Sequence, residues 1–246
     1  MQKSNPKLKT LLTLALISLT FAFWALNINS ASADITSGLV AHYKFDEGAG
    51  TTAGDSSGNN NTGTLINGPT RTIGKIGQAL NFDGVDDFVN VGTSATYEFG
   101  LNSFSVSTWF YTPANLTNEY ILSRVNGAYT TGWNIGVSGV STLNWIVLNG
   151  VSSANATMPS FALSQWHHAV GVVDRTANRS YLYVDGVLQG NVSIAGFGAV
   201  DAVGANLNFG RNSGGGNQFN GLIDEVRVYN RALTEQEIRQ LYLMGK

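Results

Sequence analysis

The sequence predicts an all-β protein: a two-sheet antiparallel sandwich with one short C-terminal helix. Three observations carry this. Short runs rich in Val, Ile, Phe, Tyr, Trp and Thr recur between clusters of Gly, Asn, Asp and Ser, as strands separated by turns do. Glycine is abundant (29) and proline rare (4), and only 12% of the residues are charged. Every periodic segment but one repeats every two residues, the period at which side chains alternate across a sheet.

In chain order, the strand-like runs are Leu39–Phe45, Thr62–Ile66, Ala79–Phe82, Phe88–Val91, Phe104–Tyr111, Tyr120–Arg124, Trp133–Val137, Leu143–Leu148, Trp166–Val173, Ser180–Val184, Leu207–Gly210 and Gly221–Tyr229. In Phe104–Tyr111 the alternation puts Phe104, Val106, Thr108 and Phe110 on one face, directed at the core. Ser105, Ser107, Trp109 and Tyr111 share the other face. Trp109 there either meets a ligand on a concave surface or packs beneath a covering segment. Ser180-Tyr-Leu-Tyr-Val-Asp185-Gly186-Val-Leu-Gln reads as a hairpin, because Asp-Gly tolerates the positive φ of a two-residue turn. The exception to the two-residue period is the helix. Thr234-Glu-Gln-Glu237 is a capping box, Leu233 can staple onto Ile238, and Ile238, Leu241 and Tyr242 share a face.

The first residues read as a secretory signal peptide over 1–33. Lys3, Lys7 and Lys9 precede an uncharged apolar stretch, Leu11 to Leu26, and then Ala31-Ser32-Ala33. The stretch is shorter than the roughly 20 residues of a spanning helix. An uncleaved anchor is the alternative, and the Ala-x-Ala site argues against it. No composition shift breaks 34–246, which reads as one domain, secreted or at the cell surface, with no stable membrane insertion after cleavage. The chain carries a net charge of −2 and no basic cluster, so the electrostatic footprint of a nucleic-acid binder is missing. The absence of cysteine removes zinc–thiolate sites, iron–sulfur clusters and cysteine nucleophiles from consideration.

Several segments resemble one family. Gly38-Leu-Val-Ala-His-Tyr-Lys-Phe-Asp-Glu-Gly48, Asp55-Ser-Ser-Gly58 and Gly74-Lys-Ile-Gly-Gln-Ala-Leu-Asn-Phe-Asp-Gly-Val-Asp-Asp-Phe-Val89 lead, followed by Phe104–Trp109 and Trp166-His-His-Ala-Val. Tyr181-Leu-Tyr-Val-Asp-Gly186 and Gly221-Leu-Ile-Asp-Glu-Val-Arg-Val-Tyr-Asn-Arg-Ala-Leu233 complete the match. Together they are similar to the laminin-G-like jelly-roll domains of the concanavalin-A-like lectin/glucanase group. The resemblance implies a jelly-roll sandwich over 38–243 and leaves lectin, adhesion module, carbohydrate-binding module and glycanase open, since one fold carries them all.

Catalysis finds little support. The related glucanases place Glu-x-Asp-x-x-Glu on one strand, and no such run exists here. Asp224-Glu225 and Asp86-Asp87 are adjacent pairs whose members are expected to face opposite ways on a strand, and the turn at Gly84 is expected to splay Asp83 from Asp87. His167 and His168 alternate too, one bonding backbone and the other partly exposed. A structural calcium has more support: Asp46, Asp55, Asn60 and Asp224 are hard oxygen donors in or beside Gly-rich turns. Ordinary turn chemistry explains the same residues. For ligand binding, Tyr129, Trp133 and Trp145 lie among Asn126, Asn134, Asn144 and Asn149, a mixture of aromatic surface and amides suited to a sugar. With Trp109 they form the expected ligand-binding set. The expected partner is a glycan or an extracellular protein, and the function classes are glycan-binding module first, protein-adhesion domain second and glycan-degrading enzyme last.

Overall fold

A computed structural model describes residues 34–113 and 117–246. The expected signal peptide lies outside the described residues. The strands in the first half are β1 (Leu39–Tyr43), β2 (Thr52–Ala53), β3 (Gly63–Ile66), β4 (Thr70–Ile73), β5 (Gln78–Asp83), β6 (Phe88–Gly92), β7 (Phe104–Tyr111) and β8 (Asn118–Val125). The second half adds β9 (Thr131–Ser138), β10 (Thr142–Asn149), β11 (Ser153–Met158), β12 (Trp166–Asp174), β13 (Arg179–Val184), β14 (Val187–Ser193), β15 (Leu207–Phe209) and β16 (Asn220–Tyr229), then the helix α1 (Glu235–Met244).

Two antiparallel sheets form. The first runs β14-β13-β12-β7-β16-β5-β4, with β1 paired to β16; the second runs β11-β10-β9-β8-β15-β6-β3-β2. The inward faces meet in one core that includes Phe82, Phe104, Phe110, Trp133, Trp145 and Phe209. The two indoles lie 6.0 Å apart, and Trp145 Nε1 donates to Ser180 Oγ at 2.8 Å, so its one polar atom is satisfied inside the core.

Local signals are realised where they were strongest. Asp185 and Gly186 take φ of 52° and 76° and join β13 to β14, as the mirror-image two-residue turn requires. Thr234 Oγ1 accepts from the Glu237 amide, and the Glu237 carboxylate accepts from the Thr234 amide, completing the capping box. Three strands escape the sequence reading: β2, β4 and β11. Their sequences (TA, TRTI, SANATM) are short, or built from small and polar residues, and each sits at the end of its sheet. There one flank goes unpaired, and β propensity is least needed.

Helix α1 decides the difference between the two outer faces. Ile238 and Leu241 are fully buried against Val170, Val172, Tyr183 and Tyr229, making a second apolar layer on the outer face of the first sheet. Among the described residues no helix is long and apolar enough to cross a membrane.

Candidate ligand-binding face

Three of the four aromatic residues expected to bind a ligand are buried. Trp133 and Trp145 are core side chains, 1% and 0% exposed. Trp109, 1% exposed, does face outward from β7, but it stacks on Tyr242 of α1 (5.7 Å, 22°), with the Lys75 ammonium 4.9 Å from its ring. The covering-segment alternative therefore holds for Trp109, and the cover is the C-terminal helix. Alternation explains the other two: Trp133 and Trp145 pair with Val147 and Ile135 across β9–β10, all inward, so Asn134, Gly136, Asn144 and Ile146 must point out.

Those outward residues form the polar face of the second sheet. Residues directly opposite one another in antiparallel ladders share a face. One row can be followed across the sheet as Thr64, Asn90, Asn208, Ser123, Asn134, Ile146 and Asn155. Six of these seven side chains are uncharged hydrogen-bonding groups. Tyr129, the remaining expected residue, reaches this face from the β8–β9 turn. It is half-buried at φ 55°, and its hydroxyl accepts from Asn134 Nδ2 at 2.8 Å. The Asn126 side chain holds that turn, accepting from the Thr130 and Thr131 amides at 2.7 and 3.1 Å.

Tyr120 belongs to the same cluster, and the sequence reading passed over it. Its ring lies 6.0 Å from that of Tyr129, nearly perpendicular (68°). It lies beside Gly136, where a Cβ would come within 2.8 Å of the Glu119 carbonyl, so only glycine lets the two strands approach this closely under the ring. Beside it opens a groove of about 240 Å³ lined by Asn118, Tyr120, Asn134, Ser138, Asn144 and Asn155, with one carboxylate, Glu119, which accepts from the Asn220 amide at 2.9 Å. The amides are held in place: Asn144 Nδ2 donates to Ser138 Oγ at 2.8 Å, and Asn155 Nδ2 donates to Asn144 Oδ1 at 3.2 Å. The groove is thus a rigid set of donors and acceptors beside two phenol rings. Larger cavities of about 480 and 520 Å³ lie elsewhere, one by Asn59 and Glu98, the other between the β13–β14 hairpin and α1. Neither combines half-exposed rings with ordered amides on a sheet.

The four oxygen donors expected to hold calcium do not come together. Asp55 accepts from the amides of His42, Ser57 and Asn61 and from the Ser57 hydroxyl, all at 2.9 Å. Partial burial would raise its pKa, but these hydrogen bonds outweigh burial and hold it below the usual carboxylate range. Asn60 is exposed at φ 59°. Asp46 and Asp224 both serve the β4–β5 turn, Asp46 accepting from the Gln78 amide (2.8 Å) and Asp224 from the Lys75 and Ile76 amides (2.8 and 2.9 Å). Turn chemistry is what all three carboxylates perform here. Among the described residues the acidic group that does converge is Asp83, Asp86 and Asp87, so the turn at Gly84 gathers these side chains rather than splaying them. Asp83 Oδ1 accepts from the Val85 amide, and Asp87 Oδ2 from the Asp83 amide.

Two further expectations are corrected. Asp224 and Glu225 do not alternate: a bulge in β16, with Glu225 at φ 52°, puts both on the outer side between inward-facing Ile223 and Val226. Burial, reinforced by the Glu225 charge against three opposing amide bonds, pushes Asp224 up to about 7. Glu225 pairs instead with His42 (2.9 Å) and Arg227. With Asp224 0% and Glu225 3% exposed, neither carboxylate can reach a glycosidic bond. The histidines are both buried. His167 bonds the Asp185 carboxylate and the Ala162 carbonyl, while His168 bonds Ser107 Oγ at 2.9 Å.

A profile of the concanavalin A-like lectin/glucanases superfamily matches residues 83–239. A curated relative, adhesion G-protein coupled receptor V1 of Danio rerio, is 26% identical over 149 residues; the match covers 58% of this chain and 2% of the receptor. Among solved structures, the binding domain of Paraclostridial mosquitocidal protein 1 superposes with a TM-score of 0.71 at 19% identity, over 84% of this chain and 52% of that one. Domain 4 of AbnA, an extracellular arabinanase of Geobacillus stearothermophilus solved with arabinotriose, gives 0.66 at 23% identity, over 83% and 98%. The binding domain of botulinum neurotoxin DC in complex with SialylT gives 0.65 at 17%, over 87% and 53%. At these identities the likeness is one of fold.

Proposed function

The chain belongs to the concanavalin A-like lectin/glucanases superfamily, and from that premise we propose that it is an exported, non-catalytic binding module that holds a neutral oligosaccharide on the outer face of its second sheet. One observation carries this most: a row of uncharged amide and hydroxyl side chains on a rigid sheet, flanked by the half-buried rings of Tyr120 and Tyr129. Sugar hydroxyls need paired donors and acceptors, sugar C–H faces stack on phenol rings, and a neutral ligand needs no charge opposite it. The fold neighbours support the reading, for two of those named are binding domains and a third, domain 4 of AbnA, was solved with arabinotriose. Burial of Asp224 and Glu225 argues against hydrolysis, which requires two carboxyls across an accessible bond.

A protein-adhesion role is the second reading, favoured by the likeness to an adhesion receptor. An array of neutral oligosaccharides separates the two. The purified protein should bind members of it, and Asn144→Ala should reduce that binding at least tenfold without unfolding the protein. Retention on no sugar, or binding indifferent to Asn144 and Tyr120, would move the protein to the second reading.

A further inference from the structure

The polar row does not stop at the groove. Beyond Asn134 it continues through Ser123 to Asn208, and there it passes under a segment of chain. Asn208 is 0% exposed, and both its Nδ2 and Oδ1 lack a hydrogen-bond partner in the protein. Asn134 Oδ1, two strands away in the same row, is likewise buried and unpartnered. Three buried amide atoms left unpaired along one row are unusual, because each forfeits the hydrogen bonds it made to water.

The covering segment is Arg211-Asn-Ser-Gly-Gly-Gly-Asn217, which follows β15. On one side of Asn208 the Arg211 guanidinium stacks on Phe88, 3.3 Å from the ring centroid. On the other side Ser213 Oγ donates to Ser123 O at 2.8 Å and accepts from the Val125 amide at 3.1 Å. Gly215 and Gly216 follow at φ 89° and 86°. The segment thus presents little side chain to the amides below it, and a few hydrogen bonds hold it down.

We propose that this glycine segment is a displaceable cover, and that Asn208 with Ser123 beneath it forms a second subsite for the same neutral oligosaccharide, continuous with the Tyr120 groove. The proposal rests on the sugar-binding reading above. With the cover displaced, the row from Asn155 on β11 to Asn208 on β15 crosses four strand spacings, roughly 19 Å. No carboxylate, lysine or histidine belongs to the row, so the class of ligand is an uncharged chain bearing hydroxyls. Its hydroxyls would pair the amide atoms that the closed segment leaves unpaired.

The chain lacks cysteine, which allows a clean lock. A Cβ on Gly214 would lie 3.9 Å from the Gly127 Cα, and neither glycine takes a φ that a side chain resists. The double variant Gly127→Cys/Gly214→Cys can therefore pin the segment to the β8–β9 turn by a disulfide. The probe is an array of neutral arabinan, xylan, β-glucan and galactan fragments of three and six residues. Native protein should bind six-residue fragments at least tenfold better than three-residue ones. The oxidised variant should lose that advantage, and reduction should restore it. Asn208→Ala should lose it regardless of redox state. Equal six-residue binding by oxidised and reduced variant, or native binding indifferent to length, overturns the second subsite and leaves the groove intact. Absence of any binding by native protein overturns the sugar-binding reading, and the subsite with it.

Discussion

The two outer faces of the sandwich begin alike and end differently. Each consists of the outward-pointing half of an alternating pattern. On the first sheet those positions carry Trp109, His168, Val170, Val172, Tyr229 and the Asp224–Glu225–Arg227 cluster, and α1 with the β4–β5 turn covers much of it. On the second sheet they carry asparagine, serine and threonine, and much of the row is open. A large aromatic on an outward position is therefore no sign of a ligand when a helix lies over it. Small neutral polar groups, unremarkable one by one, become a site when the ladder sets them in a row.

The largest expected effect breaks the first face. Ile238→Ala or Leu241→Ala removes a fully buried side chain and should cost about 2–5 kcal/mol in urea unfolding. Oligosaccharide binding at a temperature where the variant stays folded should not change. Loss of binding in that folded variant would mean that the helix face takes part in recognition.

The converse substitutions lie on the second face. Tyr120→Ala and Asn144→Ala leave the core untouched and should change stability by no more than about 1 kcal/mol. Each should still weaken oligosaccharide binding at least tenfold in titration calorimetry.

How much of this difference is legible in the sequence depends on how local its cause is. The β13–β14 turn at Asp185-Gly186 and the capping box at Thr234 are contained within a few residues, and both could be read directly. The two-residue alternation that orients Phe104–Tyr111 holds equally in Trp133–Val137 and Leu143–Leu148. There the same rule separates inward Trp133 and Trp145 from outward Asn134 and Asn144, so that part of the site was available. The sequence leaves burial of Trp109 open as an alternative but cannot name its cover, because Tyr242 meets it across 133 residues of chain. The bulge that puts Glu225 beside Asp224 also escapes prediction, since a glutamate at φ 52° carries no signature of the kind glycine gives.

The covered face also predicts opposing pH responses. Burial holds His168 neutral, down to about 3 against an ordinary 6.5, with the Arg227 charge adding to it. The unfolded chain takes up that proton first, so this contribution is present above pH 6.5 and is lost as pH falls below it. Asp224 acts the other way. Its folded pKa is raised to about 7 from 3.8, so its contribution is full below 3.8 and is lost as pH rises toward 7. His168→Gln should flatten the acid-side fall in melting temperature, and Asp224→Asn should help more at pH 8 than at pH 5. Unchanged pH profiles in both variants would remove these residues from the account. The row on the second face carries no titratable group, and Glu119 in the groove, raised by burial against the Asn220 amide bond, is the group through which oligosaccharide affinity would respond to pH.

The smallest expected effect concerns calcium. With Asp55 already accepting four hydrogen bonds, calcium added to chelator-treated protein should leave the melting temperature in place. A rise that Asp55→Asn abolishes would restore a metal to the Asp46, Asp55, Asn60 and Asp224 region.

The most direct test of the second face is amide chemical-shift mapping on the native protein, titrated with the strongest oligosaccharide from the array. The perturbed amides should cluster on Tyr120, Tyr129, Asn134, Asn144 and Asn155, while those of α1 and of Trp109 stay still. Shifts centred on α1 and the β13–β14 hairpin, with the second sheet unmoved, would contradict the assignment.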